Sequence, residues 1–147
     1  MVKRLLIIVL ILAMTIFLVG ETLASNIIIE DVSGIFSPKI PDAGAVFMKI
    51  RNKGTEDDFL IDSRVNIKGV RTELHDVKDG RMFQIERIPI PAKSSIELKR
   101  GGLHIMLFGL PLEIKEGDEI IVTLIFEKAG EKVVKFNIKS SRKDIVK

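Results

Sequence analysis

Cysteine, tryptophan and tyrosine are all absent from the 147 residues. Without cysteine the chain has no disulfide to staple it, no thiolate nucleophile and no thiolate metal ligand. Histidine and methionine are left as its only soft or borderline ligands, and there are just two histidines, His75 and His104. With neither Trp nor Tyr to stack on bases, and with acidic and basic residues interspersed rather than patched, nucleic acid is not an expected partner. No Gly-x-Ser-x-Gly and no suggestive carboxylate pair occurs, so His75 with Asp76 or Glu73 has no nucleophile or oxyanion pocket to serve. No helix of three turns is evident, and no internal repeat.

One long hydrophobic run is present, at the start. Residues 5–19 are apolar except Thr15, follow Lys3 and Arg4, and lead to the small-residue stretch Thr22-Leu23-Ala24. That pattern reads as a secretory signal over 1–24, because 15 residues fall short of the roughly 20 needed to cross a bilayer. If it is retained instead, it is an N-terminal anchor; on both readings the domain that follows works outside the cytoplasm. Cleavage loses Lys3 and Arg4 against Glu21, which takes the net charge from +3 to +2. The remainder divides into one domain over 25–139, a size that suits a single core, and a polar basic tail over 140–147.

Within 25–139, short stretches of Val, Ile, Leu and Phe recur every 8–12 residues between turn formers, the spacing of an all-β sandwich. Nine strands are expected: Ile27–Val32, Gly44–Asn52, Asp58–Val65, Gly69–Val77, Arg81–Glu86, Ser94–Lys99, Leu103–Phe108, Glu119–Lys128 and Glu131–Lys139. Asp79-Gly80, Gly101-Gly102, Gly117 and Ala129-Gly130 supply the reversals, and Pro89 and Pro91 mark a stretch unfit for a central strand. Alternation assigns Val122, Leu124 and Phe126, and Val134, Phe136 and Ile138, to the core faces of a C-terminal hairpin.

The same parity locates the histidines. His75 shares the polar face of its strand with Arg71 and Glu73, opposite Val70, Thr72 and Leu74. A two-residue loop at Asp79-Gly80 would pair His75 with Gln84 and Val77 with Met82, leaving His75 and Met82 diagonal neighbours on one face; a three-residue loop would separate them. His104 and Met106, two apart on one strand, project from the same side, which Phe108 shares. Two imidazoles and two thioethers form a soft set suited to copper(I), and also to silver(I), whereas calcium and magnesium want oxygen. Met48, between Val46 and Ile50, reads as core filler.

Three segments then resemble a known family: residues 44–54 (GAVFMKIRNKG), 70–75 (VRTELH) and 101–110 (GGLHIMLFGL) are similar to the PCuAC copper chaperones, as is the stretch Leu112 to Phe126. The resemblance implies a cupredoxin-like or immunoglobulin-like Greek-key β-sandwich, and a motif of His, spacer, Met, 21 residues, then His-x-Met. Phe83 to Leu103 supply those 21 residues here. Between His75 and Met82 stand six residues rather than the family's usual ten, a difference that removes two from each strand and keeps the parity; Asp76 stands where the family often has a further Met. With no nucleophile, carboxylate pair or thiolate to serve one, no enzyme is expected, and the resemblance implies a carrier. By that resemblance it carries Cu(I) on His75, Met82, His104 and Met106 in the periplasm, and delivers it to the binuclear centre of cytochrome c oxidase subunit II, alongside a Sco-type protein. Copper buffering or storage, and a β-sandwich interaction module that binds no metal, are the alternatives. A blue-copper enzyme would need the missing thiolate.

Overall fold

The computed structural model describes residues 26–140. The expected signal and anchor segment, Ser25 and residues 141–147 of the tail lie outside the described residues.

The described chain is all β. Ten strands follow in order: β1 (Ile27–Phe36), β2 (Ala43–Asn52), β3 (Asp58–Val65), β4 (Arg71–Lys78), β5 (Arg81–Gln84), β6 (Ile88–Ile90), β7 (Ser94–Leu98), β8 (His104–Phe108), β9 (Glu119–Phe126) and β10 (Gly130–Lys139). All nine expected strands are among them. The addition is β6, and its placement shows how Pro89 is accommodated. It lies at the edge, paired only with β3, where a residue with no N–H leaves no ladder bond unmade, while Ile88 and Ile90 on either side are fully buried. β1 also runs past the expected Val32 to Phe36, through a bulge between Glu30 and Ser33 where Asp31 adopts φ 55°.

One face of the sandwich is β5–β4–β8–β2–β1, with β7 also pairing β2; the other is β10–β9–β3–β6. They join where β1 runs parallel to β10, Gly34 opposite Ile138. Gly34 is required there: a Cβ on it would stand 2.1 Å from the Phe136 ring. Neighbours distant in sequence, such as β4 with β8 and β9 with β3, are the crossovers of a Greek key. The core between the layers follows the alternation, with Val46, Met48 and Ile50 from β2, Ile105 and Leu107 from β8, and Ile120, Val122 and Leu124 from β9 all at 2% exposure or less.

Buried polar groups at the opposite end of the sandwich are satisfied internally. Asp58 accepts from the N–H groups of Lys128 and Ala129 and fixes the β9–β10 turn, and Asn52 donates to the carbonyls of Glu56 and Ile90. Among the described residues, two buried side-chain atoms are left without a hydrogen-bond partner: Ser63 Oγ on β3 and His75 Nδ1 on the outer face of β4.

Candidate metal centre

Register builds this site. The β4–β5 hairpin has the two-residue Asp79-Gly80 loop, with φ of 52° and 72°, so both central residues are left-handed as a type I′ turn demands. His75 therefore pairs with Gln84 and Val77 with Met82, which puts Met82 diagonal to His75 on one face. On the other side β4 pairs with β8: Arg71 opposite Phe108, Glu73 opposite Met106, and His75 directly opposite His104. Arg71, Glu73, His75, His104, Met106 and Phe108 thus share a face, and Leu74, Ile105 and Leu107 point into the core. The next strand contributes Ala45 opposite Met106 and Ala43 opposite Phe108, small residues that leave room for larger neighbours.

The structure brings the two imidazoles together, their ring centroids 5.6 Å apart and planes tilted by 60°. With an imidazole nitrogen–metal bond of about 2.0–2.1 Å, and each ring centroid about 1.1 Å behind its nitrogen, one ion can bridge rings whose centroids lie up to roughly 6.4 Å apart. The observed separation is inside that limit. Phe47 flanks His104 at 6.4 Å and Phe108 flanks His75 at 6.1 Å, with the Arg71 guanidinium 4.9 Å over the Phe108 ring.

Burial is where the site departs from an open rim of exposed ligands. His104 is 4% exposed, His75 9% and Met106 2%, whereas Met82 on the edge strand β5 is 48% exposed. β8 lies between β4 and β2 and is covered on both faces, which explains His104 and Met106. Three of the four candidate ligands are inside and one stands at the door.

Hydrogen bonds define which nitrogen of each ring is available. His104 Nδ1 lies 2.7 Å from the carbonyl of Gly102. A carbonyl only accepts, so Nδ1 carries the proton and Nε2 of the neutral ring keeps its lone pair. His75 is arranged the other way round: Nε2 donates to Glu73 Oε2 at 2.8 Å, which leaves the lone pair on Nδ1. That Nδ1 is buried and has no hydrogen-bond partner. An unsatisfied buried acceptor costs about 1–3 kcal/mol, and a metal ion is one group that would satisfy it. Both rings are held below the ordinary histidine range. Burial is the main cause for each; the Arg71 guanidinium adds to it at His75, and at His104 the neighbouring His75 adds to it while the Gly102 carbonyl and Asp76 oppose. The Glu73 carboxylate favours the charged form of His75, but it is shared with Arg71. Neutral rings are the form that binds metal.

Parity put Glu73 on the face of His75 without giving it a role, and it missed the other group that orients a ring, the Gly102 carbonyl. Each stands two residues before its histidine, a spacing that in an extended strand puts both on one side, so a signal for Glu73 was present. Nothing in the sequence pointed to Phe47 as a neighbour of His104, since that contact depends on which strand lies beside β8.

Comparison with known proteins agrees with this architecture. The LpqE-like family model, which bears a lipoprotein's name, matches residues 27–138. Among solved structures, an apo PCuAC domain from PmoF1 is 25% identical with a TM-score of 0.68, over 79% of this chain and 95% of that one. A copper-bound PCuAC domain from PmoF2 is 23% identical with a TM-score of 0.65, over 79% and 94%. The solution structure of CuI-DR1885 from Deinococcus radiodurans is 21% identical with a TM-score of 0.64, over 78% of each chain. Among curated proteins no match is found. The family match runs from the first residue of β1 almost to the end of β10 and takes in both histidines: the chain belongs to the LpqE-like family, and its sandwich is a PCuAC-type domain.

Proposed function

We propose that this domain binds a single copper(I) ion through His75, His104, Met106 and Met82 and passes it to another protein outside the cytoplasm. The observation that carries this reading is the buried, unpartnered Nδ1 of His75 beside a second imidazole whose tautomer leaves Nε2 bare. Two neutral nitrogens with thioethers on the same face favour a soft monovalent ion over zinc in a structural site, which prefers thiolate and imidazole. Copper is cargo here. A carrier must release its ion by exchange with a partner's ligands, and the exposed thioether of Met82 is the place where an incoming ligand can displace one of the domain's own. The PCuAC domains similar in fold include one solved copper-bound and another in its copper(I) form, which supports the choice of metal.

The expected recipient is the binuclear copper centre of cytochrome c oxidase subunit II, directly or with a Sco-type thiol protein, as the resemblance of the His75, Met82 and His104-x-Met106 motif implies. Residues 1–24 and the lipoprotein name of the family support an exported protein. Titration of the purified protein with copper(I) against a chromogenic chelator, followed by X-ray absorption, tests the site. One equivalent in a mixed sulfur and nitrogen shell is the expected result; no competition with the chelator, or a shell without sulfur, would overturn it. Copper transfer to an isolated oxidase copper domain then separates delivery from buffering.

A further inference from the structure

Glu73 is neither a ligand nor a bystander in this arrangement. Both of its carboxylate oxygens are engaged: Oε1 with the Arg71 guanidinium, and Oε2 with His75 Nε2 at 2.8 Å. The side chain is mostly buried, 14% exposed, and stands directly opposite Met106 on the β4–β8 ladder. A carboxylate used twice over has little left to offer a soft ion, which prefers sulfur and imidazole in any case. What it does is dictate where the His75 proton sits. Since the carboxylate can only accept, the proton must be on Nε2, and the lone pair must be on Nδ1, the atom that is buried without a partner. The other ring is set oppositely, with Nδ1 donating to Gly102 and Nε2 left bare.

We infer that Glu73, braced by Arg71, is a positioning residue that fixes His75 as an Nδ1 ligand, so that the ion is held by unlike nitrogens, Nδ1 of His75 and Nε2 of His104. This rests on the copper reading above and deepens it. The physical basis is general: a metal-binding imidazole whose second nitrogen donates to a carboxylate is locked in tautomer and ring orientation and made more basic, and loss of that partner typically costs about 10–100-fold in metal affinity. The pairing also explains why a carboxylate stands between Arg71 and His75 on this face.

The test has two readouts on the full chain. Long-range proton–nitrogen correlation spectra of the metal-free protein report the tautomer of each ring directly; the expected pattern is Nε2–H at His75 and Nδ1–H at His104. Copper(I) competition titrations then compare wild type, Glu73→Ala, Glu73→Gln and His75→Ala. Glu73→Ala should lose the fixed His75 tautomer and bind copper about 10–100-fold more weakly, while Glu73→Gln, whose amide oxygen still accepts from Nε2–H, should keep the tautomer and recover most of the affinity. A simple structural role would leave the two variants equally impaired and the tautomer unmoved. An Nδ1–H signal at His75, or a Glu73→Ala protein that binds copper like wild type while His75→Ala does not, would overturn the inference and leave the copper site standing. A wild-type protein that shows the expected tautomers yet fails to compete for copper(I) would instead overturn the site, and the role of Glu73 in copper binding with it.

Discussion

His75 and His104 are a directly opposed pair on the β4–β8 ladder, and their rings stand 5.6 Å apart although 28 residues lie between them in the chain. Two hydrogen bonds point the bare nitrogens differently, one by way of Glu73 and one by way of the Gly102 carbonyl. The pair, rather than either ring alone, is what makes this face suited to an ion.

Removing a member of that pair should therefore be costly to binding. His75→Ala and His104→Ala are each expected to weaken copper(I) binding by at least about 100-fold, beyond the range for losing an orienting partner, and the double variant should fail to compete with a chromogenic chelator. A double variant that retained copper at wild-type affinity would remove these residues from the site. Each single variant should still fold, because the rings lie on the outer face and the core residues Leu74 and Ile105 are untouched.

The two methionines differ in burial, and their variants should differ accordingly. Met106→Leu conserves volume at a position 2% exposed, so its cost in stability should stay below about 1.5 kcal/mol, against about 2–5 kcal/mol for Met106→Ala. Met82→Leu, on an exposed edge strand, should change stability by no more than about 0.5 kcal/mol. Either Leu variant should lose one sulfur from the X-ray absorption shell. Met82→Leu should in addition speed transfer to an acceptor, because the position an incoming ligand must open is already vacant. Transfer at the wild-type rate from Met82→Leu would assign the exit to another side of the site.

Much of this could be read from the residues alone, and the limits are physical. Parity along each strand put His75 with Glu73 and His104 with Met106, and the Asp79-Gly80 turn placed Met82 on the face of His75, because side-chain direction and hairpin register are local properties. The neighbour of β8 is not local. That β4 lies on one side and β2 on the other follows from Greek-key crossovers, so the His75–His104 pairing and the Phe47 contact appear only in three dimensions. Burial of the rings is hidden from the sequence for the same reason: a polar residue on an outer face is covered only once Phe47, Phe108 and Arg71 are set around it. β6 escaped because Pro89 argues against a strand in general, though not at an edge.

Acid should weaken both the fold and the site. Unfolded histidines titrate near 6.5, and both rings are lowered below that in the folded protein, chiefly by burial. Between the folded and unfolded values the unfolded chain binds more protons, so stability rises with pH through that window and is complete above about pH 6.5. Denaturant unfolding of the metal-free protein from pH 8 to pH 5 should show a loss of stability below about pH 6.5 that is absent from the His75→Ala, His104→Ala double variant. Copper(I) affinity of the folded protein should hold level to a lower pH than that, because the rings in the fold resist protonation, and fall only as they do protonate. A difference between the two proteins that grew as pH rose above 7 would contradict the assignment.

The most searching test shifts parity without removing a ligand. Inserting one Thr between Arg81 and Met82 leaves the Asp79-Gly80 turn in place, since both residues keep their left-handed conformations, and moves every later residue of β5 to the opposite face. Met82 would then stand opposite Asp76 and point away from His75. β5 is exposed along its length, so the fold should lose no more than about 1 kcal/mol, yet affinity and sulfur count should fall to those of Met82→Leu. Inserting two Thr residues restores the parity and carries Met82 to the position directly across from His75, where a thioether faces the bare nitrogen at closer range than in the natural hairpin. Affinity should then return. If one insertion binds copper as well as two, Met82 is not held to the site by strand register, and the ion is carried by His75, His104 and Met106 alone.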